Sequence, residues 1–215
     1  MKMSLFLSMR GKMRGDLCTW ELFKRCIDSP TLSDRAAKIA AGHTELTSTL
    51  PAVTWQAYFA DGERTNRKAE PNGLFVLEVV DAAESPAELW SRIAPHRKKL
   101  GIRVAHKDIS TLGLLLVADC HPGLGSLAEN QQWLATTLAI DTNTKCKEWS
   151  HASCLVPRGY FYHLDKSIFD PAVEASIRLE NKHEGSMRTM TKANEKIPQT
   201  SAIISTLDAL HDATK

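Results

Sequence analysis

Cysteine is scarce in this chain and carries no pattern. The five thiols (Cys18, Cys26, Cys120, Cys146 and Cys154) are odd in number, scattered, and free of any C-x-x-C. This argues against a disulfide framework and points to a reduced, cytoplasmic compartment. Long apolar runs are missing as well. No stretch approaches the roughly 20 residues of a transmembrane helix. The opening MKMSLFLSMRGKMRG has an apolar run too short for a signal-peptide core, and Arg10, Lys12 and Arg14 follow it at once. Net charge is nearly absent: 27 Lys and Arg against 25 Asp and Glu leave +2. Any basic surface must therefore be local, and the balance speaks neither for nor against a nucleic-acid partner. Internal repeats and low-complexity segments are lacking. So are G-x-G-x-x-G, G-x-x-x-x-G-K-[ST] and G-x-S-x-G, which weakens the usual nucleotide-cofactor and hydrolase readings.

What remains is an ordinary globular balance, 43% hydrophobic and 24% charged over 215 residues, which suits one domain with room for an appendage. Its most informative stretch is Gly73 to Asp81, GLFVLEVVD, after a Pro71-Asn72-Gly73 turn. An apolar, β-branched run of this length reads as a strand buried on both faces. Glu78 inside it is the odd residue. A buried carboxylate must be paired, bound to metal, or placed at the strand's exposed end.

Strands are expected at Ser4 to Ser8, Val53 to Phe59, Ile102 to Ala105 and Gly113 to Asp119. Ala152 to Val156 and Tyr160 to Leu164 are expected to form a hairpin about Pro157-Arg158-Gly159. Helices are expected after the caps Thr19, Ser33, Ser85 and Ser126, with Pro95 able to kink the third. From Asp170 onward the composition turns polar. We read residues 171–215 as a tail or linker with an amphipathic helix at Ala202 to His211. A polar tail after a domain suits a piece of a longer polypeptide. The expected class is α/β in the broad sense (α+β): a mixed β-sheet backed by helices on one face, not a doubly wound parallel sheet.

The order of features resembles one family, the VirE N-terminal type domain of Bacteroidetes mobile elements and phages, a divergent relative of archaeo-eukaryotic primases and primase-polymerases. The resemblance runs over most of residues 1–170. It rests on MKMSLF, then LPAVTWQAYF followed by Arg64, then GLFVLEVVD in the place of Gly-Leu-apolar-Asp-x-Asp. KDISTLGLLLV stands where a Ser-x-Ser-Gly-x-Gly turn and strand are expected. AIDTNTK is similar to apolar-Asp-x-x-x-Lys, and CLVPRGYFYHLDKSIFD to the closing Tyr and Leu-Phe hairpin. The resemblance implies a primase-polymerase-like core, Mg2+ or Mn2+ held by acids, a DNA or RNA partner, a replication helicase or primase-helicase partner, and a role in replication or maintenance of a mobile element.

The motifs also depart from the family. The paired strand acids fall on Glu78 and Val80, so the second is lost, and Asp81 lies on the opposite face of a regular strand. Only Ser110 and Gly113 survive from the glycine turn. The third acid is kept as Asp141, and the arginine expected after it is best matched by His151. The implied catalytic residues are thus Glu78 and Asp141, with Asp108 as a further metal ligand if the site is active. The expected state is a degenerate catalytic site. The alternatives are an active metal-dependent nucleotidyltransferase and a structural interaction protein.

Arg64, Arg67 and Lys68, with Lys98, Lys99, Arg103 and Lys107, are candidates for a backbone-binding groove, although singly each reads as a solvated surface charge. Cys146, His151 and Cys154, with Cys120 or His121, offer soft ligands for zinc. Their spacing fits no standard finger, and buried free thiols explain them as simply. Trp20, Trp55, Trp90 and Trp133 read as core. Tyr160 and Tyr162 share a strand face and suit either base stacking or edge packing.

Overall fold

Alternation along Leu74 to Val79 gives one strand two apolar faces, and the fold buries both. The computed structural model describes residues 1–10, 15–80, 84–140 and 146–169. Its strands in chain order are β1 (Ser4–Phe6), β2 (Asp16–Leu17), β3 (Ala52–Thr54), β4 (Ala57–Tyr58), β5 (Glu70–Pro71), β6 (Leu74–Val79), β7 (Ile102–Lys107), β8 (Leu114–Asp119), β9 (Ser153–Cys154) and β10 (Phe161–Leu164). The α-helices are α1 (Trp20–Ile27), α2 (Pro30–Ala40), α3 (Pro86–Ile93) and α4 (Leu127–Leu138). Two four-stranded sheets form, ordered β2-β1-β3-β9 and β10-β7-β8-β6, with a ribbon of β4 and β5. The α+β class holds. Every pairing among the described strands is antiparallel, so the expected mixed sheet is two antiparallel ones.

The second sheet is the centre of the molecule. Phe75, Leu77 and Val79 of β6, with Leu114, Leu116 and Ala118 of β8, pack under Leu89 and Ile93 of α3 and Leu127, Leu134 and Leu138 of α4. Leu74 and Val76, with Leu115 and Val117, face the other way into a core shared with α1, α2 and the first sheet. A register shift in β7 between Ile102 and Val104 turns Val104 toward that shared core while Ala105 joins the helix side. His106 lies opposite Leu115, and Leu115 opposite Glu78. His106 and Glu78 therefore flank Leu115 on the face where the two sheets meet.

Local signals account for the helix starts. Thr19 accepts the Leu22 N–H, and Ser85 and Ser126 each form a capping box with the glutamate three residues on, Glu88 and Glu129. The second helix starts earlier than expected, with Ser29 at the N-cap and Pro30 in its first turn; a proline there loses no hydrogen bond. Pro95 ends α3 instead of kinking it, and residues Ala94–His96 tighten into a 3-10 turn.

Two strand expectations are corrected. Val53 to Phe59 is not one strand. The Thr54 hydroxyl donates to a backbone carbonyl and holds the chain where it bends, with Ala57 O at 2.9 Å and Ser4 O at 3.2 Å. Residues Ala57–Tyr58 then pair with β5 instead. Nor do β9 and β10 form a hairpin: β9 pairs with β3 in the first sheet, and β10 with β7 in the second. Pro157 and the 3-10 turn Arg158–Tyr160 carry the chain across. Asp81, Asp141, the tail and the helix expected at Ala202 to His211 lie outside the described residues. No described helix is long and apolar enough to cross a membrane.

Candidate functional site

Glu78 faces the inter-sheet core near the C-terminal end of β6, which among the described strands is an edge strand paired with β8. An edge exposes unpaired backbone groups and must be covered. Gln131 of α4 does this. Its side-chain amide donates to Val76 O at 2.8 Å and to Cys146 O at 2.7 Å, fastening the segment that starts at Cys146 along the edge of β6. The Gln56 amide donates to Glu148 O at 2.6 Å, and the Trp149 N–H to Asn66 Oδ1 at 2.9 Å. A turn closed by His151 N–H to Glu148 O then brings the imidazole back over the strand.

The result is a three-residue cluster. His151 Nε2 lies 3.1 Å from Glu78 Oε1, with the two side chains 24% and 8% exposed. One ligand atom each from Glu78, Cys146 and His151 lies within 4.8 Å of the others. Burial pushes the Cys146 thiol far up, and the Glu78 carboxylate adds to the shift, so the thiol is neutral and donates to that carboxylate. Burial, then Asp108 and Glu78, push Cys154 up to about 12. The partner of Glu78 is thus a histidine, not the lysine or arginine usual for a strand-end acid.

Asp108 is occupied otherwise. It is buried, and one of its oxygens, Oδ2, accepts from Thr111 N at 2.8 Å, Thr111 Oγ1 at 2.7 Å and Ser110 Oγ at 2.5 Å. The β7–β8 connection is therefore a side-chain-capped turn. Leu112 takes φ +59° there and is 57% exposed. A Cβ on Gly113 would sit 2.0 Å from Val79 O, so the surviving glycine is one the backbone demands.

One carboxylate beside a thiol and an imidazole does not fit Mg2+ or Mn2+, which prefer oxygen donors. Asp141 is outside the described residues.

The basic candidates separate. Arg64 is half-buried. Its Nη2 donates to Met9 O at 2.8 Å and its guanidinium lies over Phe6, 5.4 Å from the ring centroid. Burial lowers its pKa, and it makes no ion pair among the described residues. It lines an open cleft of about 310 Å³ together with Met9, Glu148, Ser150, His151 and Ala152. Lys68 is held by Asp61 and Glu63 on the surface, and Arg67 is exposed. Lys107 lies over the Tyr160 ring. Arg103 is neutralised by Asp119 and Asp165, both at 2.9 Å, beside exposed Lys98 and Lys99. Asp119 is opposite Leu74, at the far end of β6 from Glu78, roughly 13 Å along the strand. These residues do not line one groove.

Of the soft ligands, Cys146 and His151 converge. Cys154 instead contacts Thr47 O, and His121 packs on Trp133. Glu78 as their companion was not visible from spacing, because it joins from β6, far away in the chain. Trp55 is core as expected, while Trp90 is half-buried and stacks on His163 at 5.9 Å.

His106, buried in the sheet beside Leu115, gives stability a pH dependence. Burial lowers its pKa below the usual 6.5, against the opposing pull of the Lys107 carbonyl, Asp108 and Glu78. Its Nδ1–H donates to Lys107 O at 2.9 Å. The unfolded chain therefore binds this proton more tightly than the native one. Its contribution to stability is complete above about pH 6.5 and is lost as pH falls toward the lower folded pKa. Urea denaturation from about pH 7 to about pH 5 should show decreasing stability, and a slope that flattens in His106→Gln. An unchanged slope in that variant would remove His106 as its source.

Compared with known proteins, the chain matches no family model, no curated protein and no solved structure.

Proposed function

We propose that the chain is a phosphate-binding domain of primase-polymerase ancestry that has lost templated synthesis and binds DNA or RNA, in the replication or maintenance of a mobile element. The observation that carries this reading is Arg64. A half-buried guanidinium is fixed by a carbonyl and a ring, lines an open cleft, and has no carboxylate partner among the described residues. An arginine fork so held is suited to phosphate. His151, lining the same cleft, adds a second nitrogen donor and carries the link to Glu78.

Arg64 and His151 line this cleft and Glu78 lies 3.1 Å from His151, which supports the ancestry. Arg64, Glu78 and His151 come from separate motifs of the VirE N-terminal resemblance. The donor set among the described residues supports loss of synthesis: templated addition needs divalent metal on two or more carboxylates, and Glu78 has a histidine and a thiol beside it. A replication helicase is a fitting partner for such a domain.

The test is fluorescence anisotropy with a labelled single-stranded oligonucleotide in chelator-containing buffer. Wild type should bind with an affinity that falls as salt rises. Arg64→Ala should weaken binding by about tenfold and reduce the salt slope by about one. Primer extension with Mn2+ should yield no product. Salt-insensitive or absent binding, or binding unchanged in Arg64→Ala, would overturn the reading, and so would extension that depends on Glu78.

A further inference from the structure

We propose that Glu78, Cys146 and His151 form a three-ligand site for a zinc-class transition-metal ion, with its fourth position open to the Arg64 cleft. The proposal goes beyond the nucleic-acid reading and does not depend on it.

Carboxylate oxygen, thiol sulfur and imidazole nitrogen are the three side-chain donors zinc takes in proteins, at about 2.0–2.3 Å from the ion. Donors on such a tetrahedron lie roughly 3.5 Å apart. Here the three atoms already fall within 4.8 Å of one another, and one pair is at 3.1 Å. Side-chain adjustment alone can close the remainder. The donor mix is also selective, because sulfur and nitrogen favour zinc, cobalt or copper over magnesium and calcium.

The scaffold around the ligands is built. Cys146 is fully buried and its carbonyl is clamped by Gln131. Its near neighbour His151 is set by the turn on Glu148, which Gln56 holds from the other side. Glu78 sits on a six-residue strand in the central sheet. Outer contacts of this kind orient ligands and raise affinity. His151 is part-exposed and lines the cleft, so an ion can reach the site and a water can complete its coordination. On binding, the Cys146 proton leaves to solvent, the thiolate and carboxylate bond to the cation, and the histidine binds through Nε2.

The experiment uses the untagged full chain, stripped with chelator and titrated with Zn2+ and, separately, Co2+. The expected result is one equivalent bound, with a thiolate-to-cobalt charge-transfer band and the visible bands of four-coordinate cobalt. Cys146→Ser should lose the charge-transfer band. His151→Ala, a part-exposed position whose variant should keep its fold by circular dichroism, should weaken Zn2+ binding about tenfold or more. Cys120→Ser should leave both unchanged. Folded wild type that takes up neither metal overturns the proposal. So does a charge-transfer band that persists in Cys146→Ser, or undiminished Zn2+ affinity in His151→Ala. Oligonucleotide binding in chelator reports on the proposed function separately, so either reading can fail while the other stands.

Discussion

Phe23→Ala should lower the free energy of unfolding by about 3–5 kcal/mol, the range for deleting a fully buried aromatic ring. Phe23 is fully buried on α1. Its ring meets those of Phe169 at 5.0 Å, Trp55 at 5.5 Å, Phe161 at 6.0 Å and Trp20 at 6.3 Å. Those partners come from β10, from the end of β3, from the last described turn and from α1 itself. One side chain thus ties the helix to both sheets, and no single neighbour can move in to fill the space. Urea denaturation should show a lower midpoint with the slope unchanged, and the melting temperature should fall by about 10 °C. Trp20→Ala, at a half-buried position, should cost less. A Phe23→Ala loss under about 1 kcal/mol would mean that the aromatic cluster does not join the sheets.

Asp108→Ala should cost about 3 kcal/mol in metal-free protein, because three donors lose one charged acceptor. Asp108→Asn keeps a side-chain oxygen and should recover part of that loss. The comparison separates two roles. If Asp108 served chiefly as a metal-binding acid close to Glu78, removing its charge without metal would relieve repulsion and raise stability. The bonds from Ser110 and Thr111 to a single oxygen predict the reverse. Chelator-treated wild type and both variants, unfolded in urea at neutral pH, decide the point. A stability gain in Asp108→Ala would return the residue to the metal-ligand reading.

Asp108 is bonded within its own turn, whereas the rings around Phe23 come from residues distant in sequence, and at such meetings the sequence is least legible. Ala152 to Leu164 illustrates this. Two short apolar runs about Pro-Arg-Gly look like a hairpin, and the local pattern offers no reason to separate them. They separate because β3 and β7 each have an edge to fill, and Pro157 carries the chain between sheets. Trp55 and Gln56 continue the alternation of a strand, yet the chain bends there because the Thr54 hydroxyl is bonded to Ala57 O. The placement of the basic residues was equally hidden. Arg64 and Arg103 are alike as letters, but carboxylates surround Arg103 whereas Arg64 has a carbonyl and a ring.

What the sequence determined by itself is whatever a few neighbouring residues can enforce. The caps Thr19, Ser85 and Ser126 start their helices because a side-chain oxygen within one turn satisfies a free N–H. Strand β6 is legible because apolar, β-branched residues on two faces need two buried surfaces. The strangeness of Glu78 is legible too, since a carboxylate in that setting must be compensated. Which group compensates it was decided by tertiary structure alone. Gln131 had to bridge β6 and Cys146, and the turn at Glu148 had to swing His151 over the strand. Side-chain contacts between segments depend on how sheets and helices pack, and no local period encodes that. Thus the pairing of Glu78 with His151 and Cys146 belongs to the fold.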